Sequence, residues 1–414
     1  MNHTENKLKT ADTSIHDWYR FVLAFPPHLV QQCIEEFNIQ KTDLVLDPFC
    51  GTGTTNVECK KNGIPSLGIE ASPITYFASN VKCQWEQSNN LMFKHAQEIA
   101  DNALKQINST KTLQTLSNEQ WKLVLKNSIC ENPLHQVLIL RESILNFQSK
   151  YQNYFLLALA KHIVLSYSNL KFGPEVGVSK KKKKSAQVVD IWLNQILQMQ
   201  IDIEENIHNK NVKGEIIHAD ARFLNPSIFH KKINYVITSP PYPNEKDYSR
   251  TTRLESVILG YIKNKNDLRN IKKQFIRSNT KNIYKEDNDA QYVENISSVT
   301  KLSNEIEEKR RYLGKISGFE KLYSSVVKMY FGGMAKHFID LKAILSDGAR
   351  LAYVVGDQAS YFQIPIRTSQ LLGEIAEHHG YKVDSIKTFR KRFATSTESW
   401  LNEDILILRY NKQT

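Results

Sequence analysis

Two short runs of residues combine types and spacings that can do chemistry. The first is Asp47-Pro48-Phe49-Cys50-Gly51-Thr52-Gly53-Thr54, directly after the apolar run Leu44-Val45-Leu46. Glycines at 51 and 53 allow a tight strand-to-helix turn and a close approach of backbone to ligand. Two acids follow at the ends of later apolar runs, Glu70 in Gly68-Ile69-Glu70-Ala71-Ser72-Pro73 and Asp220 in His218-Ala219-Asp220-Ala221-Arg222. A carboxylate at 70 can accept from both hydroxyls of a ribose, and one at 220 from an adenine amino group. The ordered set of glycine turn, acid and acid suits a nucleoside-type cofactor. The second run is Thr238-Ser239-Pro240-Pro241-Tyr242, after Tyr235-Val236-Ile237. An amine on an aromatic ring is a poor nucleophile because its lone pair is delocalised. The Ser239 hydroxyl and the Pro240 carbonyl can each accept one of its N–H groups and favour a pyramidal nitrogen. The diproline fixes that carbonyl with little freedom, and Tyr242 offers a flat face for a ring to stack on.

The elements that must position these residues are legible as apolar runs. Residues 44–46, 66–69, 216–218, 235–238 and 351–355 read as buried parallel strands, and 383–389 with 404–410 as a closing hairpin-like edge. Leu29, Val30, Cys33, Ile34 and Phe37, opened by Pro26-Pro27, form a helical stripe before the first strand. Phe338, Leu341 and Leu345 form another, ended by Asp347-Gly348. The alternation predicts an α/β fold, a doubly wound Rossmann-like sheet of about seven strands. Two stretches interrupt it. Residues 84–213 read as a mostly helical insertion containing a Gly173-Pro174-Glu175 loop and the run Lys180-Lys181-Lys182-Lys183-Lys184. Residues 258–329 read as a polar, basic insertion, or else a mobile segment, and as a possible target-recognition region. The core is then expected in three pieces, 1–83, 214–257 and 330–414.

Composition narrows the partners. The chain has 414 residues with 55 basic and 43 acidic side chains, a formal charge of +12 that favours polyanions. No apolar run approaches a membrane span and the first thirteen residues lack a signal peptide's core, so a cytoplasmic protein is expected. Cys33, Cys50, Cys59, Cys83 and Cys130 form no C-x-x-C pair, so neither a structural metal nor a disulfide framework is expected. The glycine turn has no Gly-Lys-Ser/Thr ending, and Asn56 stands where a dinucleotide fingerprint needs its third glycine. ATPase and nicotinamide chemistry are therefore disfavoured.

On these motifs the chain resembles the S-adenosylmethionine-dependent DNA amino-methyltransferases, which methylate adenine N6 or cytosine N4 in restriction–modification or phage-defence settings. The likeness covers residues 18–83, 214–256 and 330–410. It implies S-adenosyl-L-methionine as cofactor, held by Asp47, Pro48, Phe49, Gly51, Gly53, Thr54, Glu70 and Asp220. A segment ahead of the turn, His16-Asp17-Trp18-Tyr19-Arg20-Phe21, is the candidate for the methionine end, with Tyr19 its cofactor contact. Ser239, Pro240, Pro241 and Tyr242 form the catalytic tetrad, and serine at its head usually accompanies cytosine. The absence of a Pro-Cys nucleophile pair disfavours the cytosine-C5 class. Both insertions depart from the usual positions of a recognition region.

The resemblance implies double-stranded DNA as partner, with a cognate restriction or defence nuclease possible. Arg250 and Arg253, one helical turn apart, are candidates to grip phosphate, Asn244 to read an everted base, and Lys181, Lys182 and Lys183 to add salt-sensitive affinity. A second basic stretch includes Lys263, Lys265, Arg269, Lys272, Lys273 and Arg277. The same arginines can equally pair with Glu245 or Glu255. Three alternatives stand beside cytosine N4: adenine N6, a tRNA-guanine type RNA methylase, and a silent DNA-binding subunit.

Overall fold

A computed structural model of the chain describes residues 12–19, 24–87, 89–172, 176–394 and 398–412. Its strands are β1 (Val45–Asp47), β2 (Ser66–Glu70), β3 (Leu170–Phe172), β4 (Val176–Val178), β5 (Gly214–His218), β6 (Ile233–Thr238), β7 (Leu345–Gly356), β8 (Tyr381–Ala394) and β9 (Ser399–Tyr410). Seven of them make one sheet in the order β5-β2-β1-β6-β7-β9-β8, and β3 with β4 is a separate hairpin. β5, β2, β1, β6 and β7 run parallel, β9 is antiparallel to β7, and β8 antiparallel to β9. The order reverses beside β1, so the crevice of this doubly wound α/β sheet opens between β1 and β6.

The helices are α1 (Pro27–Phe37), α2 (Thr54–Lys61), α3 (Pro73–Cys83), α4 (Leu91–Ser109), α5 (Asn118–Trp121), α6 (Glu131–Asn146) and α7 (Gln152–His162). There follow α8 (Val188–Asn206), α9 (Tyr248–Thr251), α10 (Arg253–Ile258), α11 (Lys265–Lys273), α12 (Ser297–Tyr312), α13 (Tyr323–Leu341) and α14 (Thr368–His378). Side chains alternate across the sheet because the strand period is two. Val45, Ile237, Ala352 and Ile407 meet Val30, Cys33 and Phe37 of α1 on one face. Leu46, Val236, Leu351 and Leu408 meet Val327, Phe331 and Phe338 of α13 on the other. Two covered faces explain why the strands read as unbroken apolar runs.

The closing stripe differs from expectation. Phe338 and Leu341 are the last buried positions of α13, but Leu345 already begins β7. Asp347-Gly348 lies inside that strand, with Gly348 at φ 74°, where the β6–β7 register jumps from Ile233↔Leu345 to Tyr235↔Arg350. The glycine signal marked a bulge, not a helix stop.

The first insertion is a helical layer of α4, α6, α7 and α8 that also contains the β3–β4 hairpin, with Gly173, Pro174 and Glu175 outside the described residues. It shares one core with Ile74, Ala78 and Val81 of α3 and with Leu254 and Val257 of α10. The second insertion is packed, not mobile. Val299, Leu302 and Ile306 of α12 join Ile276, Val293 and Ile296 in the core against α13. Their helical spacing is diluted by lysine and glutamate, so the stretch averages polar while one face is apolar. Gly332 of α13 admits the backbone of this insertion, since a Cβ there would come 2.0 Å from the Asp289 carbonyl oxygen.

The amino-terminal segment pins the helical layer to the core. Asp202 of α8 accepts from the Trp18 indole at 2.7 Å and the Ile15 amide at 3.1 Å, all three residues being buried. Asp202→Ala leaves both donors unpaired inside the protein, an expected loss of about 2–4 kcal/mol. Urea denaturation followed by tryptophan emission measures it; an unchanged midpoint contradicts the assignment.

Candidate active site

A cavity of about 460 Å³ opens at the carboxyl ends of the parallel strands and is lined by both motifs at once. Pro48, Phe49, Cys50, Gly51, Thr52 and Thr54 come from the glycine turn, Glu70 and Asp220 from the ends of β2 and β5, and Ser239, Pro240, Pro241 and Tyr242 from the end of β6. The volume lies in the range of small-ligand sites. Parallel β1–β6 pairing (Val45↔Tyr235, Leu46↔Val236) brings the two loops out on the same rim.

One buried bond joins the motifs. Asp47 does not line the cavity; its Oδ1 accepts from the Thr238 hydroxyl at 2.5 Å and from the Phe49 amide at 3.1 Å. Thr55 at the start of α2 donates to the Ile237 carbonyl at 3.0 Å, a second link between turn and β6. Burial pushes the Asp47 carboxyl from 3.8 to about 6, partly countered by the hydroxyl and amide donors, and its Oδ2 has no partner. Gly51 and Gly53 stand at φ 53° and 82°, a region most side chains avoid. Gly53 packs on α3, where a Cβ would sit 3.0 Å from that of Ser79. Gly51 instead faces open space, and its amide donates to Glu70 Oε2 at 2.8 Å while the Ser72 amide donates to Oε1 at 2.8 Å. Burial raises Glu70 from 4.5 to about 7, so the acid that faces the ligand space titrates near neutrality.

Asp220 is clamped by Arg222, which bonds both of its oxygens, the shortest contact being 2.6 Å. The same guanidinium reaches Asp289 Oδ2 at 2.6 Å and the Lys273 carbonyl at 2.9 Å. The second insertion thereby anchors the floor of the site. Phe49 meets the His337 ring edge-on at 5.0 Å. His337 is fully buried and pushed down to about 4, so it is neutral, bonded to the Ala221 carbonyl and the Tyr353 hydroxyl.

At the Ser-Pro-Pro-Tyr corner the Ser239 hydroxyl donates to the Val354 carbonyl of β7 at 2.9 Å. Its single proton is committed there, which leaves the oxygen lone pairs to accept. The Tyr242 amide donates to the Tyr248 hydroxyl at 3.0 Å, fixing the diproline loop. Gly356 makes room for the Tyr242 ring, since a Cβ there would come 3.0 Å from Tyr242 Cε2 and 3.3 Å from Glu403 Cγ.

A DNA methylase family model matches residues 2–82, the stretch that carries the glycine turn and Glu70. The type II methyltransferase M.BsoBI of Geobacillus stearothermophilus is 27% identical over 434 residues, spanning 93% of this chain and 82% of that protein. M.AvaI of Nostoc sp., also a type II methyltransferase, is 23% identical over 401 residues, 89% of this chain and 79% of its own. M.MjaII of Methanocaldococcus jannaschii is 38% identical over 71 residues, 17% of this chain and 13% of its own. The chain is thus similar to DNA methylases over residues 2–82 and to type II methyltransferases over most of its length.

Not every residue carried over from that family lies at the cavity. Tyr19 does not; its hydroxyl donates to Glu255 Oε1 at 2.6 Å inside the core. Arg20 and Phe21 lie outside the described residues, and it is Ala24 and Phe25, just before α1, that line the space. The aromatic before Pro26-Pro27 was the available signal. Gly53 shapes the turn from behind. Arg253 turns inward to Ser249 and, at 3.7 Å, to Asp247, an acid partner other than the Glu245 or Glu255 expected from sequence. Arg250 lies in α9. Lys182 donates to the Ser179 carbonyl and Lys183 to those of Leu165 and Ser166, away from the cavity, while Lys181 is exposed. Asn244 does line the cavity, its Oδ1 accepting from the Lys246 amide at 3.3 Å.

Other walls were not foreseen from sequence. Gln274, Phe275 and Ile276 come from the second insertion, and Phe389, Arg390, Arg392 and Glu403 from the β8–β9 hairpin. Arg390 and Glu403 face each other across that hairpin in a two-bond pair of 2.8 and 2.6 Å. Among the described residues no cluster of His, Cys, Asp or Glu could hold a metal, and no helix is long and apolar enough to cross a membrane.

Two outcomes follow from this geometry. Gly356→Ala pushes on the Tyr242 ring, so turnover is expected to fall about tenfold or more with the fold retained. Equal turnover at an unchanged melting temperature contradicts this. The raised carboxyls mean that the folded chain keeps protons the unfolded chain releases. The stability Asp47 contributes is full below pH 3.8 and declines as pH rises through about 6. Asp47→Asn keeps Oδ1 as acceptor and removes this titration, so its melting temperature should vary less than that of the parent between pH 4 and 7. Parallel curves for the two proteins contradict the burial argument.

Proposed function

We propose that this chain transfers a methyl group from S-adenosylmethionine to the exocyclic N4 amine of an everted cytosine in double-stranded DNA. The observation that carries the reading is the Ser239 hydroxyl, donating to Val354 and therefore an acceptor toward the cavity. A cytosine amine brings two N–H groups. Ser239 Oγ takes one, and the Pro240 carbonyl, on a loop stiffened by Pro241 and by the Tyr242–Tyr248 bond, takes the other. Both contacts strengthen as the nitrogen becomes tetrahedral and gains positive charge, so they favour the transition state over the bound base. Tyr242 stacks the ring. Burial raises its phenol above the usual range, and it stays protonated. The match to a DNA methylase family model and the similarity to type II methyltransferases support DNA as the substrate. A nuclease acting on the same target is the partner this reading implies.

The donor fits the residues present. Glu70 provides an acceptor for ribose hydroxyls beside Gly51, which has no side chain to obstruct the turn, and Phe49 gives an apolar edge for a purine. Ala24 and Phe25 close the side where a methionine tail would lie. When bound, the cofactor supplies an electrophilic sulfonium methyl. The protein's share is to hold the amine in line with it and to exclude water. Because Glu70 binds best as the anion, cofactor affinity is expected to rise with pH through about 7 and level off above it; affinity flat between pH 6 and 8 excludes an ionised Glu70 as the ribose acceptor.

Radiolabelled cofactor incubated with duplex DNA, followed by digestion to nucleosides, tests the product. Label in N4-methylcytosine is expected; label in N6-methyladenine, or label only with RNA, overturns the base or the substrate. Ser239→Ala is expected to lower kcat by about 10²-fold or more, with the cofactor Kd within about twofold of the parent. Similar losses in both contradict the acceptor role.

A further inference from the structure

The closing hairpin outruns the sheet. β7 pairs with β9 as far as Gly356↔Glu403, at the carboxyl rim where the cavity opens. β8 and β9 go on pairing beyond that point, through Lys391↔Asn402, Arg392↔Leu401, Phe393↔Trp400 and Ala394↔Ser399. At about 3.4 Å per residue this two-stranded ribbon extends roughly 13 Å past the rim. Its base belongs to the site, since Arg390, Arg392 and Glu403 line the cavity. Its tip carries two large aromatic rings in solvent, Phe393 at 47% and Trp400 at 54% exposure, edge to face with centroids 5.3 Å apart. Lys391 and Arg392 beside them are exposed, which gives the tip a basic flank.

We propose that this ribbon is a wedge for the duplex: Phe393 and Trp400 enter the base stack next to the target and occupy the space the everted base leaves. The proposal rests on the reading of the chain as a DNA methyltransferase. A two-stranded ribbon fits a DNA groove, and large apolar side chains between base steps are a known means of holding a duplex open. Lys391 and Arg392 contact the phosphates that flank the opening. The rim placement decides for DNA over a protein partner, because whatever delivers a base to Ser239 must lie across the strand ends from which the ribbon projects. Cross-strand pairing holds the two rings together, so they meet the duplex as one pre-formed surface with little ordering required.

The experiment compares two duplexes carrying the methylated site found for the parent protein, one with the target base paired and one with it opposite an abasic position. The second substrate has already lost the pairing that eversion must break. The double variant Phe393→Ala/Trp400→Ala should lose about 10–100-fold in kcat/KM on the paired duplex and under about threefold on the other, with cofactor affinity unchanged. Phe393→Tyr, which keeps the ring, should retain most of the parental rate. An equal loss on both duplexes, no loss on either, or a loss that tracks dissociation of a dimer in sedimentation overturns the wedge. Failure of the underlying reading looks different: the parent protein itself would then transfer no methyl group to either duplex.

Discussion

The site depends on one buried contact, the hydrogen bond from Thr238 to Asp47. It joins the last residue of β6 to the last residue of β1, and each of those residues leads directly into a functional loop. In a low-dielectric interior such a bond is strong while made, and leaving its acceptor unpaired is costly. The glycine turn and the Ser-Pro-Pro-Tyr corner are therefore held in a fixed relation, which matters because transfer between two bound groups tolerates little misalignment. Burial raises the Asp47 carboxyl to about 6, so the contact carries an electrostatic penalty near neutral pH that the surrounding sheet must offset.

Around that contact the insertions act as walls of the site. The second insertion sends Asp289 to Arg222, and Arg222 clamps Asp220. It also places Gln274, Phe275 and Ile276 beside the tetrad loop, while Thr280 donates to Glu245 just beyond it. The helical layer is tied in differently, through Trp18 and Asp202, while the buried Tyr19–Glu255 pair links the amino-terminal segment to α10. Trp18 and Tyr19 ahead of the glycine turn thus serve internal joints, and among the described residues before α1 it is Ala24 and Phe25 that reach the cavity.

The closing hairpin adds a third contribution. Its inner residues complete the cavity, and its outer residues leave two aromatic rings in water. Interior packing accounts for the first. Cross-strand contact of the two rings steadies the ribbon itself, and their joint exposure is the feature that the proposed contact with a duplex uses.

Much of the core was legible from sequence alone. The parallel strands, covered on both faces, appear as unbroken apolar runs, and Gly51, Gly53, Glu70 and Ser239 announce themselves by sitting where such runs end. Local rules determine these features, because a tight turn, a strand end and a rigid diproline are each set within a few residues. Tertiary structure alone decided the rest. Asp347-Gly348 became a bulge because β7 advances five residues, Leu345 to Arg350, where its partner β6 advances two. The polar stretch of 258–329 became core because α13 supplies the apolar face that α12 needs. Arg253 turned inward and Arg390 and Arg392 reached the cavity because folding, not spacing, determines which charge an arginine meets. Contacts across tens or hundreds of residues, such as Asp47 with Thr238, leave no periodic trace in the sequence, and they are what make two separate motifs into one site.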